Sequence, residues 1–128
     1  EYTKIGYGSP RSRGTKLFSI SGHVKKPGVY EIVLGTPFRE VLEMCGGVRD
    51  GHTLKTYIPG GSSMGFAPPE PLDYPFDYEG IPASTQTLGL GSGGLIIFDE
   101  TTDIVKVTQR LVDFYHHESC GKCTPCRE

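Results

Sequence analysis

Lys16-Leu17-Phe18-Ser19-Ile20-Ser21, Val24-Lys25-Lys26-Pro27-Gly28 and Val29-Tyr30-Glu31-Ile32-Val33-Leu34 follow one another with only Gly22 and His23 between them. The outer two stretches are rich in apolar and β-branched residues, as strands require. The middle one ends in Pro-Gly, which suits the central positions of a turn. Residues 16 to 34 therefore read as a β-hairpin. Gly35-Thr36-Pro37 then opens a helix: Thr36 is placed to accept an N-cap bond and Pro37 suits the first helical position. Phe38, Val41, Leu42 and Cys45 share one apolar face at helical spacing, and Gly46-Gly47 ends the helix as a left-handed C-cap would.

A third strand is expected at Leu54-Lys55-Thr56-Tyr57-Ile58, ended by Pro59-Gly60-Gly61-Ser62-Ser63. Residues 64 to 94 read as irregular, because Pro68-Pro69 and Pro71 preclude regular structure, with a short strand near Phe76, Asp77 and Tyr78. Leu95-Ile96-Ile97-Phe98 is a continuous apolar run and reads as a buried strand. Strand, strand, helix, strand, strand within about 85 residues matches an α+β, ubiquitin-like β-grasp, with one helix packed across the sheet. Residues 1 to 14 read as a linker, residues 15 to 100 as the β-grasp domain, and residues 101 to 128 as the start of a helical region. In that last region Ile104, Val107, Leu111, Val112 and Tyr115 recur at helical spacing between Thr102 and His117. Such a helix has an apolar face that needs a partner, part of it on the sheet and most of it on helices beyond Glu128.

Composition narrows the function classes. The 128 residues hold 31 Leu, Ile, Val and Phe, enough for a core, and the formal charge is −2. No basic stripe with interleaved aromatics is present, so nucleic acid is not implied. Residues 1 to 27 are mainly basic and residues 70 to 103 carry seven acids with no Lys or Arg, an imbalance that suits solvated faces or docking to partner subunits. No apolar run approaches the ~18 residues that span a bilayer, so no direct membrane insertion is expected. No signal peptide is evident either, in a chain that opens on Glu1 rather than Met.

The chemistry is concentrated in Glu118-Ser119-Cys120-Gly121-Lys122-Cys123-Thr124-Pro125-Cys126-Arg127-Glu128. Cys-x-x-Cys-x-x-Cys lets a tight loop turn three thiolates toward one point, as an iron–sulfur cluster needs. A [4Fe-4S] cluster takes four ligands, so the set reads as cut and the chain as a fragment of a larger redox protein. A zinc site is the alternative, with Cys45, His116 and His117 the residues left to complete it. A redox pair of Cys120 and Cys123 would leave Cys126 without a role, and a disulfide scaffold would be shorter and richer in cysteine. Thiols meant for a cluster call for a reducing compartment. Lys122 supplies positive charge, Gly121 lets backbone N–H groups approach the sulfurs, and Thr124-Pro125 reads as the cap and first position of another helix. His116 and His117 read as helix-surface residues and Cys45 as a small core residue. Gly89-Leu90-Gly91-Ser92-Gly93-Gly94 precedes a strand instead of following one, which excludes a dinucleotide fingerprint. Pro59 to Ser63 reads as a plain turn ahead of an anion cradle.

Gly14-Thr15-Lys16-Leu17-Phe18, Ser21-Gly22-His23-Val24 with Pro27-Gly28-Val29, Ile58-Pro59-Gly60-Gly61-Ser62-Ser63, Thr102-Asp103-Ile104-Val105-Lys106 and the run from Phe114 to Glu128 occur in this order. Together they resemble the NADH-binding flavoprotein subunit of respiratory complex I, over nearly the whole chain from about Ile5. The resemblance implies a soluble-ligand-binding β-grasp (SLBB) domain followed by the start of a four-helix iron–sulfur domain. It implies that Cys120, Cys123 and Cys126 are three ligands of a [4Fe-4S] cluster, the fourth lying well downstream. It also implies an upstream domain for FMN and NAD, electron relay from NADH through FMN to the cluster and on to quinone, and no catalytic residue in this portion. The partners it implies are peripheral-arm subunits, among them a small [2Fe-2S] subunit, on the cytoplasmic side of a bacterial inner membrane or the matrix side of the mitochondrial one. Flavoprotein subunits of NAD-reducing hydrogenases and NAD-dependent formate dehydrogenases resemble it as well, and a non-enzymatic β-grasp binding module with zinc is the rival from another class. Gln109 and the run Thr87-Leu88-Gly89-Leu90-Gly91 depart from the commoner pattern, away from the ligands.

Overall fold

A computed structural model describes residues 1–6, 10–81 and 89–127; Thr87 and Leu88 of the departing run lie outside the described residues. After a short 3-10 turn at Tyr2–Lys4, the chain runs β1 (Thr15–Gly22), β2 (Gly28–Val33), α1 (Phe38–Met44), β3 (Leu54–Ile58), β4 (Gly94–Asp99), α2 (Ile104–Glu118) and α3 (Thr124–Arg127). The strands form one mixed sheet in the order β2-β1-β4-β3. β1 pairs antiparallel with β2, from Thr15 opposite Val33 to Ile20 opposite Gly28. It pairs parallel with β4, from Ser19 opposite Gly94 to Gly22 opposite Ile97. This is the expected α+β architecture, and all four principal strands fall where the sequence places them.

The core lies between one face of the sheet and α1. Alternation puts Phe18, Ile20, Ile32, Leu95 and Ile97 on that face, and α1 lowers Phe38, Val41 and the following Cys45 onto it. Phe38 sits at the centre. Its ring stacks on Tyr57 at 4.3 Å and on Tyr74 at 5.6 Å, and tilts against Phe76 at 5.2 Å. The two buried tyrosine hydroxyls share a 2.7 Å hydrogen bond, which satisfies polar atoms that burial would otherwise penalise. Cys45 is fully buried and its Sγ donates to Leu42 O at 3.0 Å, so it is a core residue as expected. In the apolar run of β4, Leu95 and Ile97 are buried, whereas Ile96 and Phe98 are half-buried on the opposite face. The continuous apolar run thus serves two unequal faces.

Two local expectations are corrected. Thr36 does not cap α1. Its hydroxyl donates to Val33 O at 2.7 Å, and Pro37 occupies the cap position with extended ψ. The first helical N–H groups are satisfied from a distance: Phe38 N donates to Tyr74 O at 3.0 Å and Arg39 N to Leu72 O at 3.1 Å. The second correction follows from the first, because the segment expected to form a strand near Phe76 to Tyr78 is the segment that caps α1. It forms a single bridge, Pro37 with Pro75, with Gly35 N donating to Phe76 O at 3.2 Å and Phe76 N to Thr36 O at 2.9 Å. The carboxylate of Asp73 takes both arms of the Arg39 guanidinium, at 2.7 and 2.9 Å, and fastens the same segment from outside.

Residues 59–63 form a turn, as expected, and it interlocks with the glycine loop before β4. A Cβ on Gly60 would lie 2.1 Å from Gly89 O, and one on Gly91, where φ is +43°, would lie 2.2 Å from Gly60 O. Ser92 N donates to Gly60 O at 3.1 Å. Glycine is needed here for close approach of two backbones, a structural use that also explains the glycine-rich run without a nucleotide.

Phe38→Ala removes the ring shared by Tyr57, Tyr74 and Phe76. It is expected to cost about 3–5 kcal/mol, read as a fall in the urea midpoint with an unchanged slope.

Candidate metal centre

α2 begins two residues later than the apolar spacing suggests. Asp103 is its cap, its Oδ1 accepting from Val105 N at 3.0 Å and Lys106 N at 3.2 Å. No α2 residue is buried. Ile104, Val107 and Leu111 are half-buried, while Val112 and Tyr115 on the same stripe remain 60% and 42% exposed. The stripe is therefore covered over its first turns and open towards its C-terminus. One contact ties the open end to the sheet domain: the Tyr115 and Ser62 hydroxyls are 2.7 Å apart.

Ser119 ends α2 with extended backbone, at φ −63° and ψ 126°. Gly121 then turns the chain at φ +63°, a conformation that favours glycine. Thr124–Arg127 forms one helical turn, starting one residue earlier than expected, with Cys126 N donating to Cys123 O at 3.0 Å. This turn-loop-turn puts Cys120, Cys123 and Cys126 on one exposed loop, all three as free thiols. Cys45 is buried in the core and takes no part.

The loop is closed by Ser119. Its Oγ accepts from Gly121 N at 3.2 Å and lies 2.9 Å from Cys126 Sγ. Beside Cys126 a cleft of about 270 Å³ is lined by Val112, Tyr115 and His116. His116 thus faces the cleft from the exposed helix surface, and His117 instead pairs with Glu118 at 3.2 Å. Ser119 was not singled out by sequence reasoning. Its only signal is its position immediately before Cys120 and seven residues before Cys126.

Soft thiolates suit either zinc or iron–sulfur chemistry. A single zinc, with Zn–S of about 2.3 Å, draws its thiolates to within about 3.8 Å of one another. Among the described residues, the one group of three possible ligands whose donor atoms all lie within 4.8 Å is His52, Asp99 and Glu100, not the cysteines. Three exposed thiols on one short segment are a donor set that either chemistry can use, a cluster taking each thiolate on a separate iron.

The His52, Asp99 and Glu100 group is an internal ion network. Asp99 is fully buried at the end of β4. It pairs with Arg49, accepts from Thr101 N at 3.0 Å and Thr101 Oγ1 at 2.6 Å, and lies 3.1 Å from His23 Nδ1. Glu100 accepts from Thr53 N and meets His52 Nδ1, each at 2.9 Å. Burial pushes the Asp99 carboxyl up, but the bonds from Thr101 and Arg49, with His23 alongside, outweigh it and hold the pKa at about 2. Arg49 neutralises the charge that a cation would otherwise meet. The network fixes the last residues of the sheet, from which α2 departs.

Comparison with known proteins places both halves of the chain. Residues 17–67 match the SLBB domain, and residues 106–128 match the NADH-ubiquinone oxidoreductase-F iron-sulfur binding region. Over 94% of its length the chain is 54% identical to the F subunit of the NADH-quinone oxidoreductase of Mycobacterium tuberculosis, covering 27% of that protein. It is 53% identical to the corresponding F subunit of Streptomyces coelicolor over 94% of its length, covering 26% of it. The chain therefore spans about a quarter of the length of these curated relatives. Among solved structures, a chain of an NAD+-reducing [NiFe]-hydrogenase superposes with a TM-score of 0.80 at 32% identity, over 98% of this chain and 20% of that one. No helix among the described residues is long and apolar enough to cross a membrane.

The Asp99 network has a pH signature. Its folded pKa of about 2 lies below the unfolded value of about 3.9, so the unfolded chain binds more protons between those values. Stability from Asp99 is then complete above about pH 4 and is lost as pH falls towards 2. Asp99→Asn is expected to destabilise the domain at pH 7 and to flatten the pH dependence in that window, as measured by urea denaturation at a series of pH values.

Proposed function

We propose, from its kinship to the F subunits of NADH-quinone oxidoreductases, that this chain is the part of an NADH dehydrogenase flavoprotein subunit that carries the SLBB scaffold and three ligands of a [4Fe-4S] cluster. The observation that carries the reading is the loop from Ser119 to Cys126. It presents three free thiols at Cys-x-x-Cys-x-x-Cys spacing, within the segment that matches an iron–sulfur binding region. Cys120, Cys123 and Cys126 hold the cluster, and the fourth ligand comes from elsewhere in the parent subunit. A bound cluster supplies one-electron transfer.

In this reading residues 1–14 link to an FMN- and NAD-binding domain, residues 15–100 form the SLBB domain, and residues 101–128 begin the cluster domain. The parent passes electrons from NADH through FMN to the cluster and onward to quinone. The chain's own residues perform no hydride chemistry. Their work is to hold three thiolates on a loop whose approach is set by α2, and α2 is set in turn by the Asp99 network and by the Tyr115–Ser62 contact. The partners are other peripheral-arm subunits, including a small [2Fe-2S] subunit, at the cytoplasmic face of a bacterial inner membrane or the matrix face of a mitochondrial one. The structural likeness to an NAD+-reducing hydrogenase chain favours one second reading, in which the same unit relays electrons between a nicotinamide site and a hydrogenase. The higher identity to the NADH-quinone oxidoreductase relatives supports the quinone-linked parent.

Cys123→Ser in the full-length subunit, reconstituted anaerobically, is expected to abolish the low-temperature EPR signal of the reduced cluster while flavin remains bound. The wild-type protein should carry about four irons and equal acid-labile sulfide at this site. Stoichiometric zinc without sulfide, or a normal cluster signal in Cys123→Ser, would overturn the ligand assignment.

A further inference from the structure

We infer that the Ser119 hydroxyl donates a hydrogen bond to the Cys126 thiolate and thereby sets how readily the cluster site accepts an electron, an inference that rests on the ligand reading above. Either atom can donate while Cys126 is a free thiol, and ligation fixes the direction of the bond. Gly121 N donates to Ser119 Oγ at 3.2 Å, which occupies one acceptor position of the hydroxyl and leaves its single proton for another partner. The nearest other partner is Cys126 Sγ, at 2.9 Å, ahead of Cys126 O at 3.4 Å. A metal-bound cysteine is a thiolate and accepts only, so the hydroxyl must be the donor once the site is loaded.

The placement of Ser119 supports this use. It is half-buried, while Glu118 and Cys120 on either side are exposed, so the side chain turns inward under the loop. Its backbone ends α2 with extended geometry, which aims the residue across the loop at the first turn of α3. It therefore bridges the first and last cysteines of the motif without being a ligand. Adding one electron to a site ligated by Cys126 increases the negative charge on the sulfur. No bond forms or breaks, and the proton stays on the serine oxygen. A charge-assisted hydrogen bond strengthens as its acceptor gains charge, so the hydroxyl favours the reduced state and raises the potential. Ser119 is a positioning residue, acting through Cys126.

The test compares Ser119→Thr with Ser119→Val in the full-length, cluster-loaded subunit. The two side chains have nearly the same shape and differ in the hydroxyl. EPR-monitored redox titration reads the midpoint potential. Ser119→Thr should titrate as wild type. Ser119→Val and Ser119→Ala should lower the reduced-to-oxidised ratio at a fixed potential by about fivefold to tenfold, the upper end being about 59 mV for one electron. Retention of iron by Ser119→Thr but by neither hydroxyl-free variant would support the bond as well, as a requirement for holding Cys126. Equal potentials in Ser119→Thr and Ser119→Val at full iron content would overturn the inference and leave the ligand reading intact. Wild-type protein without iron and sulfide would instead overturn the ligand reading.

Discussion

A fully buried carboxylate organises the passage from scaffold to site. Asp99 stands at the end of β4 with no solvent exposure, and an ionised group in such a place is costly unless its oxygens are occupied. Here they are occupied by Arg49 from the loop before β3 and by Thr101 from the following turn, while His23, just after β1, accepts from Asp99 N at 3.2 Å and lies 3.1 Å from the carboxylate. Three separate stretches of chain therefore meet at this one residue. Four residues beyond Asp99, Asp103 caps α2. The origin and first turn of the helix that leads to the cysteines are thus set by electrostatics inside the sheet domain, while its apolar stripe contributes only half-buried contacts.

A second tie acts farther along α2. The turn at residues 59–61 is locked to the loop before β4 by backbone contacts that no side chain would permit at Gly60 or Gly91. The next residue, Ser62, meets Tyr115, five positions before Cys120. Rigidity therefore passes from the ends of β3 and β4 to the helix end by a path independent of Asp99. The two anchors bracket α2, one at its start and one near its end, and the cysteine loop follows the second.

Much of this was legible in the sequence because it depends on short-range patterns. Apolar and β-branched runs bounded by turn residues located β1, β2, β3 and β4, helical spacing of apolar residues located α1 and α2, and the paired glycines located the end of α1. The cysteine spacing located the candidate site. The misreadings share a physical cause. Thr36 has the chemistry of a cap, yet the carbonyls of Leu72 and Tyr74 arrive first, brought by a segment more than thirty residues away. The same segment reads as a strand near Phe76 because its aromatic residues are spaced for one. Those rings are buried against Phe38 and Phe18, and its backbone bonds go to the start of α1 instead of to a sheet.

The sequence alone determined which residues are apolar and at what spacing, where the chain must turn, and that three thiols fall within seven residues. Those features act over a few residues and need no knowledge of what lies opposite. Only the tertiary structure decided that His23, Arg49 and Asp99 form one network, that the Pro59–Gly61 turn locks against the loop before β4, and that Ser119 reaches Cys126 across its own loop. Each of these depends on atoms distant in sequence, or across a turn, arriving within about 3 Å of one another. At that range hydrogen bonds and ion pairs form, and composition carries no record of it.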